Sequence, residues 1–103
     1  MNPVDFKQAR AAHMALKEFF ASHPKGRLEP DAVGNVQALC RAAERAVPDP
    51  DCRRAIQSIE NYAALLAWRE PERQGPDFVR LRVHNALASF RSKLNWIETA
   101  QPG

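Results

Sequence analysis

The amino-acid sequence predicts an all-α fold, an antiparallel four-helix bundle in a single domain. Three observations lead there. Proline followed closely by an acid recurs at Asn2-Pro3-Val4-Asp5, Glu29-Pro30-Asp31, Asp49-Pro50-Asp51 and Gly75-Pro76-Asp77. Each of these precedes a stretch whose apolar residues repeat at helical spacing, and no stretch alternates as a strand would. The links between the four stretches are short, which favours antiparallel neighbours.

Proline suits the first helical position, where its missing N–H has no intrahelical partner, and acids there complement the exposed N–H groups and the macrodipole. The first helix is expected over about 3–22, with Phe6, Ala9, Ala12, Leu16, Phe19 and Phe20 along one face. His23-Pro24-Lys25-Gly26 ends it with a glycine suited to a left-handed turn. The second helix, about 30–46, places Val33, Val36, Leu39, Cys40, Ala43 and Val47 inward. Gly34 weakens its first turns by up to ~1 kcal/mol relative to alanine, which close helix contact would explain.

Pro48-Asp49-Pro50 turns the chain into a third helix, about 50–69, where Cys52, Ile56, Ile59, Ala63 and Leu66 are spaced 4-3-4-3. Ala55, Tyr62 and Leu65 lie beside them, and Trp68 is expected at the edge of the core, with an extension of the fourth helix's outer surface as the alternative. The fourth helix, about 76–99, repeats the spacing with Val83, Leu87, Phe90, Leu94 and Ile97, followed by a frayed tail over 100–103. That spacing suits left-handed bundle packing.

The 103 residues are enough for one modest core. No run approaches the roughly 18 apolar residues of a membrane span, and the start does not read as a signal peptide, so a cytoplasmic protein is expected. Cys40 and Cys52 sit on buried faces at heights about 4–6 Å apart along antiparallel helices, and are expected as reduced core thiols. The net charge of +3 arises wholly from residues 53–103, a weak signal for a polyanionic partner.

Catalytic chemistry is thinly supplied, and no enzyme, metal, cofactor or small-molecule substrate is predicted. Most of the acids lie in links or first turns, where capping and solvation account for them. None of Glu18, Glu44, Glu60 and Glu98 has a histidine three residues on, as carboxylate-bridged metal bundles require. His13, His23 and His84 are scattered, and two lone cysteines give no zinc spacing. Arg53-Arg54 opposes its helix dipole and hints at an external anion, but Asp49 and Asp51 stand near enough to neutralise the pair. Arg41 and Arg45 share a face that Glu44 interrupts.

The segment His84-Asn85-Ala86-Leu87-Ala88-Ser89 resembles in part the His-x-x-Lys-small-small pattern of bacterial histidine phosphotransfer domains, which are four-helix bundles of this length. It keeps the small pair but has Leu87 where that family has lysine. The resemblance implies a phosphoryl-accepting His84; Arg80 and Arg91, which flank it on the same side of the helix, are placed to steady a phosphoryl group. It spans six residues, and an ordinary boundary histidine is the expectation set against it.

The outer face of the fourth helix is more informative. Opposite its buried residues lie Leu81, Asn85, Ala88, Ser92 and Asn95, none of them charged, with Phe78 and Trp96 at one edge. Arg80, His84 and Arg91 border this strip on one side, and Arg82 and Lys93 on the other. A solvated face is ordinarily charged in its middle, so this one suggests either internal burial or a second contact. The leading expectation is a non-catalytic accessory protein that binds a protein partner, or a second copy, through Leu81, Arg82, Asn85, Ser89, Ser92, Lys93 and Trp96. The alternative is a nucleic-acid accessory module whose Arg80, Arg82, Arg91 and Lys93 meet phosphates, with His84 as a further contact.

Overall fold

The computed structural model describes residues 4–24, 26–68 and 75–100. The four proline-led stretches form α1 (Phe6–Ser22), α2 (Pro30–Ala46), α3 (Pro50–Trp68) and α4 (Gly75–Ala100). Pro3, Arg69 and the last three residues, to which the sequence also assigned roles, lie outside the described residues.

The helix starts do not all use the same chemistry. In α1 the acid is the N-cap itself: the Asp5 carboxylate accepts from the Gln8 N–H at 3.0 Å, so the helix begins at Phe6, three residues later than expected. Asp49 does the same for α3, accepting from the Cys52 N–H at 3.0 Å with Pro50 in the first helical position. Glu29 provides no such side-chain cap, and α2 relies on Pro30 and on Asp31 in its first turn. Gly26 in the first link and Gly75 at the head of α4 have φ of 69° and 74°, left-handed values at which a side chain would be strained.

The helices close a ring in which α1 packs on α2, α2 on α3, α3 on α4, and α4 back on α1. Bonds between opposite ends show that each neighbouring pair runs antiparallel. Asp5 N–H donates to Ala46 O at 2.8 Å, joining the start of α1 to the end of α2. Leu28 N–H donates to Leu66 O at 3.2 Å, bringing the entry to α2 beside the end of α3. Lys93 near the end of α4 pairs with Asp51 at the start of α3 (3.1 Å), and Arg10 early in α1 pairs with Glu98 late in α4 (2.7 Å).

One apolar core fills the ring. Leu16, Val33, Val36, Cys40, Ile56, Ile59, Leu66 and Phe90 are fully buried, and no polar or charged side chain is buried among the described residues. The inward faces match the expected spacings, with Val79 and Ala86 added on α4. Phe6, Phe19, Phe20, Leu39 and Ile97 lie half-buried at the margins. Both cysteines are free and buried, and the Cys40 thiol lies 3.8 Å from Ile56 O. Burial pushes each thiol up to about 12, with nearby carboxylates acting in the same direction.

Two expectations are corrected. Gly34 is exposed, and a Cβ built on it meets nothing within 4 Å, so no helix approaches it closely. Trp68 is 56% exposed and stands outside the core, because Leu66 and Ala67 take the inward positions of that turn. Asp49 accepts from Cys52 N–H and Asp51 pairs with Lys93, with Arg53 and Arg54 exposed beside them.

Candidate interaction surface

Side chains that the 3.6-residue repeat places opposite the core of α4 face outward along most of its length. Leu81, Arg82, Asn85, Ala88, Ser89, Ser92, Asn95 and Trp96 are all exposed, so α4 is not internally sandwiched. Leu81 is 54% and Trp96 63% exposed, among the largest apolar side chains turned to solvent. The cations on the α3 side of the strip rest on its aromatic rings. The Arg82 guanidinium lies 4.9 Å from the centre of the Phe78 ring, and the Lys93 ammonium 4.3 Å from that of Trp96. Such contacts hold a flexible charge in a defined place. Lys93 is the one half-buried member of the expected set, because it also reaches Asp51.

The cations on the α1 side separate into different roles. Arg80 points away from the strip. Its Nε donates to Gly26 O at 2.9 Å and one terminal nitrogen to His23 O, so it binds the chain where α1 ends. Burial of its guanidinium lowers its pKa while Asp77 opposes that change, in keeping with this partly enclosed position. Arg80 is therefore an architectural residue, contrary to the phosphate contact expected from sequence. Arg27 acts similarly at the end of α3, donating to Ala67 O at 3.4 Å. Helix ends leave carbonyls without intrahelical donors, and cationic donors are favoured there.

His84 and Arg91 do remain outward, and both border a trough between α1 and α4 that sequence reasoning missed. It has a volume of about 470 Å³ and is lined by His13, Lys17, His84, Leu87, Ala88, Arg91, Ser92 and Asn95. His13 forms part of its wall. Its Nε2 lies 3.1 Å from Leu87 O, and since a carbonyl only accepts, this nitrogen carries the proton. The ring also meets Phe90 edge-on, with centroids 5.6 Å apart. Burial lowers the His13 pKa, and Arg91, Lys17 and Arg10 lower it further against the opposing effect of the Leu87 bond. The signal for the trough was the spacing of Arg10, His13 and Lys17, which puts three basic residues on one face of α1.

Leu87, where the phosphotransfer pattern has lysine, is a buried core residue. Among the described residues no three His, Cys, Asp or Glu side chains gather as metal ligands, and no helix is long and apolar enough to cross a membrane. Comparison with protein-family models, with curated proteins and with solved structures found no match. The functional reading accordingly rests on the geometry of α4 and its borders.

Proposed function

We propose that this protein is a small, non-catalytic, cytoplasmic accessory protein that docks a protein partner on the outer face of α4. The exposure of an uncharged strip carrying Leu81 and Trp96, between borders of positive charge, supports this reading most directly. Tryptophan and arginine are the side chains most enriched among interface hot spots, and small residues such as Ala88, Ser89 and Ser92 allow a partner backbone to approach closely. Ring-stacked Arg82 and Lys93 are partly pre-ordered, so less side-chain entropy is lost on docking. A partner with an apolar pocket for Trp96 and carboxylates opposite Arg82 and Arg91 complements the surface.

The test compares wild type with the double variant Arg82→Glu, Trp96→Ala in affinity capture, and by light scattering for self-association. Loss of a captured partner with unchanged helical content and thermal stability supports the surface; capture that survives both changes refutes it. Concentration-dependent dimers that the double variant abolishes identify a second copy as the partner. Nucleic acid is a weaker reading, because Arg80 is bonded to backbone carbonyls and Lys93 to Asp51. It requires a mobility shift at low salt that falls steeply as salt rises.

A further inference from the structure

The α1–α4 seam sets like charge against like. Arg10, His13 and Lys17 form a stripe on α1, and Arg80, His84 and Arg91 form the border of α4 that faces it. Both ends of the seam are satisfied within the protein. At one end Arg10 reaches Glu98 at 2.7 Å and Asn95 Oδ1 at 3.0 Å; at the other, Arg80 holds the carbonyls of His23 and Gly26.

The middle differs. His13, Lys17, His84 and Arg91 converge on one trough, and no carboxylate is among its lining residues. Elsewhere the bundle pairs its facing charges, as Lys93 and Asp51 do across α3–α4. Facing cations repel more strongly as water is excluded, and this seam is also the most loosely packed of the four. An anion seated between the stripes removes that repulsion.

We propose that the trough is a binding site for a small phosphate-bearing anion. Lys17 and Arg91 pair with the phosphate oxygens, His84, Ser92 and Asn95 contribute hydrogen bonds, His13 donates from Nδ1 once its ring is protonated, and Leu87 and Ala88 form an apolar floor for an organic body. The volume of about 470 Å³ lies in the range of small-ligand sites. The charges occupy about one turn of α1 and two of α4, so the patch spans on the order of 6–10 Å. That length suits one or two phosphate groups and falls short of the long basic track that a nucleic-acid strand follows. The trough shares Ala88, Arg91 and Ser92 with the proposed docking face but uses neither Leu81, Arg82 nor Trp96, so changes at those three residues test the two readings apart.

The test titrates sulfate and pyrophosphate into the full chain at low salt, followed by amide and imidazole resonances. Saturable shifts at His13, His84 and Arg91 are expected. Lys17→Ala and Arg91→Ala should each weaken binding about tenfold, the loss of one charge-assisted bond. The pair Arg41→Ala, Arg45→Ala on α2 and the single change Trp96→Ala should leave binding unchanged. Sulfate stays a dianion between pH 5.5 and 8, so its affinity isolates the protein's own titration. The groups facing His13 are Arg10 and Lys17 from α1 and Arg91 and His84 from α4, and an anion offsets the charge that Arg10, Lys17 and Arg91 bring to bear on it. Proton uptake at His13 and anion binding therefore reinforce each other, and sulfate should bind more tightly at pH 5.5 than at pH 8. A nucleoside diphosphate that binds more tightly than pyrophosphate places an organic group on the Leu87–Ala88 floor, and equal affinity identifies the inorganic group as sufficient. Shifts that never saturate, or an equal loss in the Arg41→Ala, Arg45→Ala pair, overturn the site. So does an Asp/Glu-rich peptide that perturbs His13 and His84 when pyrophosphate does not.

Discussion

Replacing Arg80 separates an architectural cation from a surface one. Its guanidinium donates to Gly26 O at 2.9 Å and to His23 O, tying α4 to the turn that ends α1. A hydrogen bond from a charged group contributes about 1.5–3 kcal/mol when shielded. Arg80 is only half-buried and the bond to His23 is exposed, so screening holds these two carbonyl bonds to about 1.5–2 kcal/mol together. For a domain of this size each 1 kcal/mol moves the melting temperature by about 4–8 °C, so Arg80→Ala should lower Tm by roughly 6–16 °C. Arg80→Lys keeps the charge but loses the fork that reaches two carbonyls, and should fall between. Arg91→Ala, on the same border of α4 but exposed, should stay within about 0.5 kcal/mol of wild type. Thermal and urea melts followed by circular dichroism measure all three. Arg80→Ala and Arg91→Ala melting together would refute the assignment of Arg80 to the α1 terminus.

Four further outcomes are expected. Gly34→Ala should raise stability by up to about 1 kcal/mol in urea melts, because the site is helical, open and without positive φ. Phe90→Ala should cost about 3–5 kcal/mol, since it removes the largest fully buried side chain and the ring against which His13 packs. Cys40 and Cys52, buried and raised to about 12, should resist a thiol reagent at pH 8 and react fully in denaturant. Their protonated thiols favour the folded state, so that contribution is present below pH 9.0 and is lost between 9.0 and about 12, a fall that Cys40→Ala should reduce. His13 has the opposite sign. Its lowered pKa means the fold favours the neutral ring, so its stabilisation is present above pH 6.5 and declines as the pH falls through the folded value. In the His13→Gln variant a urea midpoint measured from pH 7.5 to 5 should decline less than in wild type.

The helices were legible because local chemistry decides them. Pro30, Pro50 and Pro76 cannot continue a preceding helix, and the 4-3-4-3 runs of α3 and α4 have a single inward face. The same periodicity made the outer strip legible, since a residue opposite the core of a bundle's helix has little else to face. Sequence reasoning misjudged the aims of long side chains. Arg80 and Lys93 stood with Arg91 among the cations expected to border the strip, yet one reaches a turn 54 residues away and the other a carboxylate on α3. Gly34 suggested a close contact because a glycine in a helix needs a reason, and the structure provides none.

The sequence by itself determined where this chain is helical, which residues form the core and which face of α4 carries Leu81 and Trp96, because caps and periodicity act over a few residues. Only the tertiary structure decided which charges meet. Arg10, His13 and Lys17 face His84 and Arg91 because α1 and α4 close the ring side by side, about seventy residues apart in the chain. Spacing along a helix fixes a side chain's direction, but its partners depend on the neighbour that packing sets opposite it.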